Sequence, residues 1–219
     1  MVMEVVTSGK TVEKEQNRIG VESTKIKRRR IYYAIKRSFD VCFALIGMIL
    51  LAIPMMVIAL IIKKDSDGSP IFRQQRLGKN EKIFTIFKFR TMYTNTPNDV
   101  ATNSLNTEEY TTKVGGFIRE HSLDELPQLL NVLKGDMSFV GYRPVCLTEQ
   151  KLNCRRAELG VFAMKPGITG YAQINGRDNV TSEEKALMDK YYVENCSLLL
   201  DLRCLIKTIK VVLAKDGVK

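Results

Sequence analysis

A chain of 219 residues, 45% of them hydrophobic, can bury a core as one large domain or one domain with an appendage. Its net charge of +10 asks for an anionic partner: nucleic acid, a phosphorylated substrate or an acidic lipid surface. Five cysteines without a CxxC pair argue against a disulfide framework or structural zinc and favour a reducing cytosolic side, and a lone histidine, His121, excludes multi-histidine metal sites.

Residues 1 to about 30 are polar, lack apolar periodicity and end in Lys25, Lys27, Arg28, Arg29 and Arg30. They read as a basic, flexible tail beside a membrane, where each cation near an anionic leaflet contributes about 1 kcal/mol. No aromatic residues or RNA-binding signature accompany these cations, so nucleic acid is not the expected partner. The tail is too long and polar for a signal peptide.

From Val41 to Ile62 there are 22 residues without a charge, enough for a helix that just spans a hydrocarbon core of about 30 Å. Pro54 lies near the middle and removes an intrahelical bond, which predicts a sharp bend. Both flanks are basic, with Lys36 and Arg37 before and Lys63 and Lys64 after, so neither side is readily exported. A re-entrant helix, broken at Pro54 with both ends cytoplasmic, meets both conditions; a single-pass anchor is the simpler alternative.

Ile71 to Met92 reads as a β-hairpin turning at Leu77-Gly78-Lys79-Asn80. In its second strand the two-residue period puts Ile83, Phe87 and Phe89 on one face, and Lys88 and Arg90 on the other. Two neighbouring cations on a rigid strand suit a diphosphate; a solvated strand face accounts for them equally well. Residues 93 to 113, rich in Asn and Thr, read as a surface loop or lid.

Leu123, Leu126, Leu130 and Leu133 recur at helical intervals after Ser122, and Ser122 with Glu125 has capping-box spacing. That predicts a helix from Ser122 to Gly135 with Asp124 and Glu125 in its first turn, where the macrodipole favours ionised carboxylates. The two acids read either as ordinary first-turn caps or as a nucleophile beside a metal ligand. After Gly135, Pro144 forces Arg143 into an extended conformation, and Gly141 permits close backbone approach to a ligand. Lys165 to Arg177, with three glycines, a proline and a cation at each end, predicts tight turns but fits neither Walker nor Rossmann spacing. A helix over Ser182 to about Tyr192 carries Asp189. From Ser197 an apolar stripe of Leu198, Leu202, Leu205, Ile206, Ile209 and Leu213 is opposed by Arg203, Lys207 and Lys210, as on a core-packed or membrane-interfacial helix.

The basic flank and Pro-bearing apolar helix are followed in one order by Phe87-Lys88-Phe89-Arg90-Thr91-Met92, Ser122-Leu123-Asp124-Glu125-Leu126-Pro127-Gln128, Lys134-Gly135-Asp136-Met137-Ser138-Phe139-Val140-Gly141, Arg143-Pro144, Pro166-Gly167-Ile168-Thr169-Gly170 and Asn175-Gly176-Arg177. This order resembles the bacterial sugar transferase family, the monotopic polyprenol-phosphate phosphoglycosyl transferases, from about Ile35 to the C-terminus. Two departures stand out: Tyr142 where members often have Pro in Gly-Pro-Arg-Pro, and Ile53 where they often have Ser before the membrane Pro.

The resemblance implies an enzyme that moves a sugar phosphate from a UDP-sugar to polyprenyl (undecaprenyl) phosphate, using Mg²⁺ and releasing UMP. Such a reaction opens assembly of a surface glycan: exopolysaccharide, capsule, lipopolysaccharide O-antigen or glycoprotein glycan. It implies Asp124 as nucleophile, forming a covalent aspartyl-phosphosugar intermediate, and Glu125 with Asp124 as metal ligands. Lys88, Arg143 and Asp189 would lie around nucleotide, phosphates and metal; Arg90, Lys165 and Arg177 add cations for the same anions. The alternative is an inactive membrane-anchored module that binds anionic lipid or scaffolds a glycan assembly complex. The expected fold is α+β: a basic tail (1–35), a Pro-broken re-entrant membrane helix (36–64), and a mostly helical catalytic domain with a β-hairpin and an amphipathic C-terminal helix (65–219). The expected place is the cytoplasmic face of the bacterial inner membrane, among membrane lipids, with self-association left open.

Overall fold

The structure, a computed structural model, describes residues 2–97, 107–176 and 180–213. The chain divides into two compact units, Met1–Phe39 and Asp40–Lys219. Helix α1 runs over Val2–Asp65, so the stretch expected to be an irregular tail has helical backbone from Val2. The helix also continues through Pro54, and the interruption expected there does not appear in the secondary structure. A proline deletes one backbone bond and bends a helix, but it need not end one that is held along its length.

That hold is visible in the second unit. Ala44, Met48, Leu51, Met55, Ile58 and Ile62 follow one another at three- and four-residue steps and pack against the two clusters that form the main core. Gly47 lets α1 come close to the rest, since a Cβ there would lie 3.2 Å from Leu129. Opposite this stripe, Ile49, Leu50 and Ile53 are 74%, 71% and 70% exposed. So many exposed aliphatics on one helix face call for a non-aqueous neighbour.

Polar clamps fix both ends of the packed stretch. Asp40, buried, accepts from the Ser138 hydroxyl and the Phe139 amide at 3.1 Å each. At the other end Arg90 is buried, and its guanidinium caps α1 through the carbonyls of Ser66 (2.7 Å) and Asp67 and the Ser66 hydroxyl. Cationic donors suit the carbonyl end of a helix.

The hairpin forms as expected. Strands β1 (Ile71–Leu77) and β2 (Ile83–Phe89) pair antiparallel, from Ile71↔Phe89 to Leu77↔Ile83. The turn uses left-handed backbone at Asn80 and Glu81 (φ 55° and 59°). Past residues 98–106, which are outside the description, come α2 (Thr107–Tyr110) and α3 (Lys113–Glu120). Part of the expected loop is therefore helical.

The acidic helix begins later than its leucines suggest. Ser122 is left-handed (φ 54°) and makes no cap bond, whereas a capping serine needs extended backbone. Leu123–Glu125 instead form a 3-10 turn, and helix α4 spans only Gln128–Lys134. Pro127 is the physical reason: without an N–H it cannot bond the Leu123 carbonyl, which Leu126 takes at 3.2 Å instead. The tighter turn changes the helical phase, so Leu129 and Val132 are buried and Leu130 is 41% exposed. Gly135 ends α4 in the left-handed conformation (φ 89°), as expected.

Strand β3 (Ser138–Val140) pairs parallel with β4 (Gly167–Thr169), so the glycine-rich segment starts as a strand rather than a series of turns. The close approach at Gly141 is to the chain's own backbone, because a Cβ there would sit 2.4 Å from the Lys165 carbonyl. Helices α5 (Gln150–Glu158), α6 (Tyr171–Asn175), α7 (Ser182–Asn195) and α8 (Leu198–Leu213) complete the unit. A true capping box does occur, at Thr181 and Glu184 of α7. Helix α8 buries Asp201 and Cys204 and exposes Leu199, Leu202, Ile206 and Ile209, so its apolar stripe faces outward.

Asn131 ties hairpin to helix. Fully buried, it accepts from the Phe87 amide (3.0 Å) and donates to the Thr85 carbonyl (2.7 Å). Asn131→Ala would leave both strand groups unpaired and is expected to cost about 2–4 kcal/mol, read as a lowered denaturation midpoint in detergent. An unchanged midpoint would show that the hairpin is held otherwise.

Candidate active site

Burial of Ile86 against Leu129, Val132 and Met137, together with the Asn131 clamp, sets the pose of β2. Lys88 is two residues on and shares the face of Ile86, which turns its ammonium towards the acidic 3-10 turn. Its Nζ donates to Asp124 Oδ2 (3.1 Å) and Glu125 Oε1 (2.9 Å). Arg143, held extended before Pro144, donates from a terminal guanidinium nitrogen to the same Glu125 oxygen at 2.8 Å. Three segments far apart in sequence thus meet at one carboxylate.

The cluster lies at the edge of the fold. Asp124 and Glu125 side chains are 15% exposed, Lys88 20% and Arg143 47%. Burial alone would push the Glu125 carboxyl up, but the charges and hydrogen bonds of Arg143 and Lys88 bring it down to about 2. The cations, rather than the macrodipole of a first helical turn, keep it ionised.

The remaining expected site residues divide. Arg90 caps α1 and is not brought to the acids. Asp189 is buried on α7 and pairs with Arg156, whose Nε and a terminal nitrogen donate to Asp189 Oδ2 at 2.9 and 2.6 Å. Burial pushes the Asp189 carboxyl up, and the Arg156 charge works against that. Lys165 stands beside the Gly141–Tyr142 strand end, where Tyr142 bridges Pro166. Arg177 lies outside the described residues. The sequence reading missed Asn131 and Arg156. Asn131 had a signal, a lone amide in an apolar helical run, whereas nothing marks Arg156 apart from its exposed neighbour Arg155.

The profile of the bacterial sugar transferase family matches residues 31–215. The chain belongs to that family. An undecaprenyl-phosphate galactose phosphotransferase of Salmonella typhimurium is 40% identical over 199 residues, covering 84% of this chain and 41% of its own length. The uncharacterized sugar transferase EpsL of Bacillus subtilis is 42% identical over 190 residues, covering 84% of this chain and 90% of its own length. The exopolysaccharide production protein ExoY of Sinorhizobium fredii is 40% identical over 198 residues, covering 83% and 87%. The chain therefore spans about two fifths of the Salmonella relative and most of the other two.

For a bacterial sugar transferase the acid pair has a suitable donor set for a hard cation. Among the described residues Asp124 Oδ1 and Glu125 Oε2 accept no hydrogen bond, leaving one oxygen of each acid for a ligand. No group of three or more Asp, Glu, His or Cys residues converges among the described residues. Two carboxylates, whose coordination sphere waters and substrate phosphates would complete, are a donor set of the kind Mg²⁺ accepts.

Glu125 also gives a pH signature. A carboxyl depressed by folding stabilises the protein above its ordinary value of 4.5, and that contribution disappears as pH falls towards about 2. Between those values the unmodified protein is expected to lose on the order of 3 kcal/mol more stability than Glu125→Gln, measured by denaturation at stepped pH. Parallel curves for the two proteins would contradict the ion cluster.

Proposed function

We propose that this chain transfers a sugar 1-phosphate from a UDP-sugar to polyprenyl phosphate, undecaprenyl phosphate in a bacterial membrane, and releases UMP. The product would start a surface glycan such as an exopolysaccharide or capsule. Family membership and the phosphotransferase activity for which the Salmonella relative is named support the reaction class. The observation that carries the assignment of roles is the unequal partnering of the two acids. Glu125 Oε1 holds both cations, while Asp124 has Lys88 alone and a second oxygen without a partner among the described residues.

Asp124 is accordingly the nucleophile. A carboxylate oxygen attacks the phosphorus that bears the sugar, a P–O bond forms, and the bond to the bridging oxygen breaks, with UMP leaving on that electron pair. An oxygen of the lipid phosphate then attacks the same phosphorus and expels the Asp124 carboxylate, which is regenerated. Splitting one displacement into two is what covalent catalysis offers. Lys88 and Arg143 stabilise charge on the diphosphate, the main requirement of phosphoryl transfer. Asp124 and Glu125 would hold Mg²⁺ by their remaining oxygens; when bound, it supplies charge neutralisation for the diphosphate. Since the acids and cations of the cluster already balance, a doubly negative diphosphate arriving with a divalent cation adds no net charge.

The protein in detergent, given Mg²⁺, undecaprenyl phosphate and a panel of UDP-galactose, UDP-glucose and UDP-N-acetylated sugars, is expected to release UMP from at least one donor. Asp124→Asn keeps the shape but removes the nucleophile, and is expected to reduce release to background. Full activity in Asp124→Asn, or no release from any donor, would overturn the reading.

The chain is further proposed to sit on the cytoplasmic face of the inner membrane with both flanks of its apolar helix on one side, as in a re-entrant or in-plane monotopic anchor. Among the described residues one helix, over Arg29–Asp65, is long and apolar enough to cross a membrane. Against a crossing stand its basic flanks and the packing of Ala44 and Ile62, near opposite ends, on the same unit. Outward aliphatics on α1 and α8 would then enter one leaflet. In a cysteine-free background, single cysteines at Ser23 and Ser69 are expected to resist an impermeant thiol reagent on intact cells. Labelling at Ser23 alone would restore a single pass.

A further inference from the structure

We propose that Arg156, held by Asp189, is a positioning residue that fixes the backbone of Arg143 and so aims the Arg143 guanidinium at Glu125. The inference rests on the reading of the Asp124–Glu125 cluster as the transferase site.

Arg156 is only 2% exposed, and a buried guanidinium is costly unless its donors are matched. Two of them go to Asp189 Oδ2, joining α5 to α7. The third direction is used differently: a terminal nitrogen donates to the carbonyl of Arg143 at 2.9 Å. The plane of Arg156 also lies over the Tyr142 ring, with its central carbon 5.2 Å from the ring centroid. Tyr142 itself is buried, packing edge-on against Phe162 and bridging Pro166.

These contacts meet at the residue where aim matters. Pro144 confines Arg143 to extended backbone, but within that range its carbonyl, and with it the start of the side chain, can still rotate. A hydrogen bond from a buried, doubly anchored cation removes that freedom. Arg143 has a long side chain that is 47% exposed and would otherwise lose much rotamer entropy on reaching Glu125. A salt bridge serving only to join α5 and α7 would need no bond to the Arg143 carbonyl. The pair Arg156–Asp189 thus forms a rigid backing for a half-exposed arginine, and Asp189 serves the site through Arg156 without touching substrate.

Arg156→Lys keeps the charge but lacks the fork, so it cannot reproduce the two-nitrogen grip on Asp189 together with the third bond to the Arg143 carbonyl. The test is a double-mutant cycle on the full chain in detergent, read as kcat/KM for UMP release from whichever UDP-sugar of the panel is used, with thermal melting as a control. Arg143→Ala is expected to lower kcat/KM by about ten- to a hundredfold. Arg156→Lys is expected to lower it by roughly tenfold while melting close to the unmodified protein, and to add no further loss in the Arg143→Ala background. Equal losses from Arg156→Lys in both backgrounds, or none in either, would overturn the proposal. Unchanged activity in Arg143→Ala would instead count against the site itself. If Arg156→Lys fails to fold, the neutral pair Arg156→Gln with Asp189→Asn replaces it, judged by the same dependence on Arg143.

Discussion

One oxygen of Glu125 accepts from Lys88 at 2.9 Å and from Arg143 at 2.8 Å, and the geometry around the acids follows from this shared ion pair. Removing a carboxylate from water is costly, and here two cations more than offset that cost. The cations must therefore be placed well. Lys88 is placed by a strand that Asn131 pins through Thr85 and Phe87. Arg143 is placed by the following proline and by the bond from Arg156 to its carbonyl. With Glu125 committed to both cations, its neighbour Asp124 keeps the more available carboxylate.

The same strand ties this site to the apolar helix. Ile86 belongs to the cluster that receives Ala44, Met48 and Leu51, and Phe89 to the cluster that receives Met55, Ile58 and Ile62. Lys88 lies between them. Asp40 and Arg90 close the two ends of the packed stretch, one through Ser138 and Phe139, the other through Ser66 and Asp67. Such an anchor is built into the unit that carries the acids. Movement of the helix would be felt at Lys88, which would suit the proposed transfer between a soluble nucleotide sugar and a lipid phosphate.

What was legible in the sequence was what local patterns decide. Alternation gave the hairpin and the face of Lys88, an uncharged run gave the apolar helix, and Gly135 marked the end of α4. Several motifs in one order pointed to the family that the profile match shows. The failures arose where a competing constraint, near or distant in sequence, outweighed the simplest local pattern. Ser122 and Glu125 had capping-box spacing, yet Pro127 denied the helix its early bond and a 3-10 turn took its place. Arg90 had the same period as Lys88, but the carbonyls at the end of α1 claimed it. Gly141 accommodates the chain's own backbone, and Asp189 answers a buried arginine, facts that only the packed structure supplies. The stripe of α8 was visible, but its outward direction was not.

The central claim is that Asp124 carries the sugar phosphate between donor and acceptor. Intact mass of the protein after incubation with Mg²⁺ and a UDP-sugar that it turns over, without any lipid phosphate, tests this most directly. The account predicts a mass gain equal to one sugar phosphate, mapping to Asp124 after proteolysis and discharged when undecaprenyl phosphate is added. An unmodified protein under those conditions, with UMP released only when both substrates are present, would contradict it and point to direct transfer between them.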